Sequence, residues 1–83
     1  MRIKDGFEIR PFADGYAAVG LSGNMVISLN KTSALLWQAI SDGKTEKELA
    51  ALLTDTYDVD ELRAARDIEK FITTLKNADI LID

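Results

Sequence analysis

Asp55, Asp58, Asp60 and Glu61 are the densest acidic cluster in the chain, and carboxylates at that density are what a cation site is built from. An EF-hand loop beginning at Asp58 would require glycine where Arg63 stands, so that motif fails. Acidic residues gathered ahead of a helix are instead favoured by the positive end of its dipole, which is the better reading. Gly20-Leu21-Ser22-Gly23 is small enough to approach a phosphate, but it neither opens a helix nor carries the Lys-Ser or Lys-Thr of a P-loop. It reads as a turn. Trp37 could stack on a ring, yet it lies in the apolar run Leu35-Leu36-Trp37, where core packing is the natural role. With no cysteine and no histidine in 83 residues, the chain has no thiolate or imidazole ligands and lacks the usual neutral-pH acid-base group. No metal, cofactor or catalytic activity is expected.

The elements that would position these residues follow from periodicity. Phe7-Glu8-Ile9-Arg10 alternates apolar and charged residues, Ala13-Asp14-Gly15 supplies turn chemistry, and Tyr16 to Val19 resumes extended character, predicting a hairpin. A third strand is predicted over Met25-Val26-Ile27-Ser28-Leu29. From Asn30 the period lengthens: Leu35, Leu36, Ala39 and Ile40 form one face of a first helix with Asn30 as its cap. Asp42-Gly43-Lys44 ends it. Thr45 and Glu48 form a capping box for a second helix bearing Leu49, Leu52 and Leu53, which Tyr57-Asp58 closes. A third helix is predicted from about Asp60 to Ala78, with Asp58 as cap and Glu61 three residues on. Its apolar residues Ala64, Ala65, Ile68, Phe71, Ile72, Leu75 and Ala78 cover an arc of about 140 degrees, wider than a single contact needs. Ile80-Leu81-Ile82 is too short for a helix and could pack back in extended form. The expected fold class is α+β, one domain over residues 1–83, with three strands followed by three helices.

A chain this short buries only ~60% of its unfolded surface, so its stability should be a few kcal/mol. No stretch approaches the ~20 apolar residues of a membrane span, and a cytoplasmic location is expected. The net charge is -4. A tight turn before the third helix raises a winged-helix DNA-binding regulator, but the residues that would meet phosphate there are Asp60 and Glu61. Along that helix Arg63, Arg66, Lys70 and Lys76 are balanced by Asp60, Glu61, Asp67 and Glu69, leaving no basic stripe. Duplex DNA should not be retarded below about 10 μM protein.

The run Met25 to Leu29 contains no proline and no charge. At a sheet edge its backbone groups would be a template for another strand. The C-terminal tail, a second copy in a homodimer through the third strand, or a ligand strand could cover it. A structural oligomerisation domain is therefore a further alternative.

Ile3-Lys4-Asp5-Gly6-Phe7, the run from Met25 to Thr32 leading to Leu36-Trp37, then Gly43-Lys44-Thr45, Tyr57-Asp58-Val59 and Asp67-Ile68-Glu69-Lys70-Phe71-Ile72 occur in the order seen in PqqD-like proteins, which the chain resembles over nearly its whole length. The resemblance implies a winged helix-turn-helix body, a three-stranded antiparallel sheet packed on three helices. It implies a RiPP recognition element, a peptide chaperone that is not an enzyme. Such a domain takes up the leader of a ribosomally made precursor by β-strand addition to the third strand. It presents that precursor to a modifying enzyme, often a radical S-adenosylmethionine enzyme, in natural product biosynthesis. Carried onto this sequence, one groove wall is Met25, Val26, Ile27, Ser28 and Leu29. The other is drawn from the third helix, where the wheel selects Ala64, Asp67, Ile68, Phe71 and Thr74. One position departs: where the family usually has Ala-Gly-Leu, this chain has Ala78-Asp79-Ile80, and aspartate adopts a left-handed helix exit less readily than glycine.

Overall fold

The computed structural model describes residues 1–23 and 25–82. Strands β1 (Arg2–Ile3), β2 (Phe7–Phe12), β3 (Gly15–Gly20) and β4 (Val26–Leu29) precede helices α1 (Lys31–Ser41), α2 (Glu46–Tyr57) and α3 (Glu61–Asn77), and β5 (Leu81–Ile82) follows. The antiparallel sheet β2-β3-β4 packs on the helical layer chiefly through α1, and β1 pairs with β5 in a separate ribbon. The third strand read from the sequence is β4. Met25 lies just ahead of it and accepts a hydrogen bond from the Gly20 N–H at 2.8 Å.

Side-chain alternation decides which sheet face is covered. Ile9, Ala18 and Ile27 stand in register across the three strands and belong to the layer packed on the helices, with Ala18 fully buried at the centre. Glu8, Val19 and Val26 form the neighbouring row on the opposite face, where Val26 is 65% exposed. The helices contribute the largest wholly buried side chains, Leu36, Ile40, Leu49, Leu53 and Leu75, joined by Ile80. Trp37 is buried and meets Phe7 edge to face, their ring centroids 5.5 Å apart, a geometry that aligns the positive ring edge with the negative ring face.

Each helix begins where a short polar side chain can satisfy a free N–H. Asn30 Oδ1 accepts from the Ser33 N–H at 2.8 Å, and Thr45 and Glu48 form the complete reciprocal box. For α3 the expectation is corrected: Asp60, not Asp58, is the cap, accepting from the Arg63 N–H at 2.7 Å. Asp58 has φ 51 and terminates α2, and a residue in that left-handed conformation cannot also take the extended backbone an N-cap requires.

The departure at Asp79 is accommodated. Asp79 takes φ 59, its N–H bonds to the Lys76 carbonyl at 3.0 Å, and the Ile80 N–H bonds to the Leu75 carbonyl at 2.9 Å. These are the two bonds of a Schellman ending. The Asp79 carboxylate lies 3.0 Å from the Lys4 ammonium. This exit buries Ile80 and sends Leu81 and Ile82 into register with Ile3 and Arg2. The tail thus pairs with β1 and does not cover β4.

Candidate functional site

Hydrogen-bond parity in the sheet determines what each edge offers. The Gly20 N–H bonds to Met25 and the Leu21 N–H bonds to Gly6. In an antiparallel ladder the bonded positions recur every second residue. With the observed register, Ile27 and Leu29 exchange bonds with β3, whereas the N–H and C=O groups of Val26 and Ser28 point away from it. On β2 the outward positions are Phe7, Ile9 and Pro11, and Pro11 has no N–H to offer.

Beside the open edge of β4 lies a groove of about 380 Å³. β4 and the cap residue contribute Ile27, Ser28, Leu29 and Asn30; the first turns of α1 contribute Thr32, Ser33 and Leu36. The far wall is Arg63, Asp67, Lys70, Phe71 and Thr74 of α3. Leu29, Leu36 and Phe71 are buried and form an apolar floor continuous with the core, while the rim is polar.

Of the residues selected from sequence, Ile27, Ser28, Leu29, Asp67, Phe71 and Thr74 converge on this groove. Ala64 and Ile68 lie in the core, at 0% and 4% exposure. Val26 directs its backbone to the edge but its side chain to the exposed sheet face, and Met25 lines a separate depression with Lys4, Gly6 and Phe7. The sequence reading passed over Asn30, Thr32, Ser33, Leu36, Arg63 and Lys70. A usable signal existed for the α3 members: Arg63, Asp67, Lys70 and Thr74 recur at helical spacing, each one residue before the core positions Ala64, Ile68, Phe71 and Leu75. The arc is wide because α3 serves the core with one stripe and the groove with the next. Phe71 lies on the boundary and serves both.

The groove's polar groups are partly committed already. Thr74 donates its hydroxyl to the Lys70 carbonyl at 2.9 Å, Asn30 is occupied as a cap, and Arg63 lies 4.0 Å from Asp67. The acidic cluster noted in the sequence lies outside the groove, and no grouping of potential metal ligands occurs among the described residues. Among those residues no helix is long and apolar enough to cross a membrane. The arrangement offers backbone pairing beside an apolar trough.

Two solved structures share this architecture. One, TbiB1 in complex with the TbiA(beta) leader peptide, superposes with a TM-score of 0.82 at 22% identity, covering 100% of both chains. The other, lasso peptide synthetase B1 complexed with the leader peptide, gives a TM-score of 0.82 at 27% identity, covering 99% of this chain and 96% of that one. No curated protein sequence matches the chain. The family profile of coenzyme PQQ synthesis protein D (PqqD) matches residues 15–81, a span that includes β3, β4, all three helices and every groove residue, and the chain therefore belongs to the PqqD family.

Proposed function

We propose that this protein binds the leader segment of a ribosomally synthesised precursor peptide as a strand added to β4, and presents it to a modifying enzyme without performing chemistry itself. The observation that carries this reading is the open β4 edge, whose Val26 and Ser28 backbone groups point away from β3, next to a trough floored by Leu29, Leu36 and Phe71. The leader-peptide complexes of the two structural neighbours support it. On the PqqD resemblance, the receiving enzyme is a radical S-adenosylmethionine enzyme, and the chain acts as a single domain.

The energetics give the trough its importance. Val26 and Ser28 supply two N–H and two C=O groups, and four backbone bonds at ~1 kcal/mol each net about 4 kcal/mol. Ordering the peptide costs ~1 to 2 kcal/mol per residue, so pairing alone leaves no net affinity. Two or three apolar peptide side chains entering the trough, at ~1.5 to 3 kcal/mol each, reverse the balance. Specificity accordingly resides between Ile27 and Phe71.

The test is to titrate isotope-labelled protein with peptides encoded by short reading frames beside its gene. Amide shifts should concentrate in Met25 to Leu29 and Ala64 to Thr74 while α2 stays quiet, since no residue of α2 lines the groove. Shifts clustered on α2 would overturn the assignment. A radical S-adenosylmethionine enzyme encoded alongside such a frame would support the proposed partner, and an unrelated neighbourhood would count against it.

A further inference from the structure

The charge of the trough defines the peptide more closely, given the strand-addition reading on which this inference rests. Among the described residues, the charged ones lining it are Arg63, Asp67 and Lys70, all on α3; the lining residues from β4 and α1 are uncharged. The protein as a whole carries a net charge of -4, yet the groove holds two cations and one anion. The anion is engaged, with Asp67 lying 4.0 Å from Arg63 one turn away. Lys70 has no ion-pair or side-chain hydrogen-bond partner among the described residues. One turn back on the same helix lies Arg66, a second cation, and one turn on lies Thr74, whose hydroxyl is turned to the backbone.

We infer that Lys70 is a specificity residue that takes a carboxylate from the bound segment, so that the occupant is an extended peptide combining apolar anchors with an acidic side chain. An exposed lysine is weakly held by solvent-facing partners, because water screens the attraction. A peptide lying over the trough would remove water from one side of Lys70. A carboxylate delivered there would then find a cation that, although Asp67 and Glu69 are near it in sequence, is in no ion pair among the described residues. A basic peptide residue at the same place would meet Arg63 and Lys70 together.

The experiment pans a phage-displayed library of random dodecapeptides against the full-length protein and its Lys70→Glu and Lys70→Gln variants, each first shown to be folded by circular dichroism. Peptides recovered on the parent should be enriched in Asp and Glu at one position relative to their apolar anchors. Lys70→Gln should abolish that enrichment, and Lys70→Glu should replace it with Lys or Arg. For a synthetic peptide from the parent pool, exchanging that Glu for Gln should weaken binding about fivefold at low salt, and the difference should shrink in 1 M salt. Pools of equal charge content on all three proteins would overturn the role of Lys70 while leaving strand addition intact. Parent-selected peptides that bind a folded Ser28→Pro variant undiminished would overturn strand addition itself, as would the absence of any enriched peptide.

Discussion

β2 and β4 border the same three-stranded sheet, but they expose different chemistry to whatever approaches. On β2 the outward-facing positions include Pro11, and the strand carries the Arg10–Glu8 ion pair at 2.8 Å. Proline and charge are the usual means by which a sheet edge resists pairing with a foreign strand. β4 has neither, and both backbone groups of Val26 and Ser28 are presented beside a trough. The difference teaches that accessibility of an edge is specified residue by residue, and that its defences are absent on the side where an apolar floor waits.

The largest effect expected is at the floor. Phe71 is 8% exposed and packed in the main core cluster, so Phe71→Glu buries an unpaired carboxylate and should cost about 3–5 kcal/mol. That is most of the stability of a domain this size, and far-UV circular dichroism should show loss of cooperative unfolding. A folded variant would mean that the trough is separable from the core.

Next in size is Gly15→Ala. A Cβ there would lie 2.6 Å from the Leu29 carbonyl oxygen, forcing β3 and β4 apart next to the Asn30 cap. A cost of about 1–3 kcal/mol in urea unfolding is expected, together with weaker peptide binding because Leu29 moves. Ser28→Pro is subtler. Its N–H faces the open edge, so the β3–β4 ladder survives, while a donor worth ~1 kcal/mol to an added strand is lost. Peptide binding should weaken at least fivefold with the fold retained. The reciprocal change, Pro11→Thr, restores a donor on β2, and concentration-dependent association by light scattering should increase. If neither exchange has its effect, the contrast between the edges carries no functional weight.

The smallest effect lies far from both edges. Glu48 has its pKa lowered below the usual 4.5 by its hydrogen bonds with the Thr45 backbone and side chain, and further by the Lys44 charge. A carboxylate depressed in the folded state contributes stability that is full above the unfolded pKa and is lost as pH falls through the folded value. The melting-temperature gap between the parent and Glu48→Gln should therefore be present at neutral pH and close in acid. Peptide affinity should not change.

Much of this architecture is legible in the residues themselves, because caps and periodicity are local. Asn30, Thr45 and Glu48 act where the sequence placed them, and the heptad-like apolar stripe of α3 leads to the core. Pairing of β1 with β5 is not legible, since two-residue strands have no period and their register is imposed by the exit of α3. Asp58 and Asp60 illustrate a second limit: both can cap a helix, and only the left-handed turn at Asp58 decides between them. The groove was half legible for a related reason. A helical wheel gives the width of an apolar arc but not which part faces which neighbour, so Ala64 and Ile68 were grouped with Phe71. Asp67 and Thr74 of the polar stripe are legible on the wheel, whereas Arg63 and Lys70 of the same stripe join them only once the groove is seen.

The shortness of β4 also has a kinetic meaning. Among the described residues the edge presents Val26 and Ser28, and under the proposed strand addition that ladder is too brief to retain a peptide by itself, so departure would be governed by a few side chains leaving the trough. For micromolar affinity and an association rate of about 10⁶ M⁻¹s⁻¹, the residence time is on the order of one second. Under the proposed presentation to a modifying enzyme, that dwell time would let the peptide leave within a single turnover of a slow enzyme. A longer edge would add backbone bonds and lengthen that dwell time.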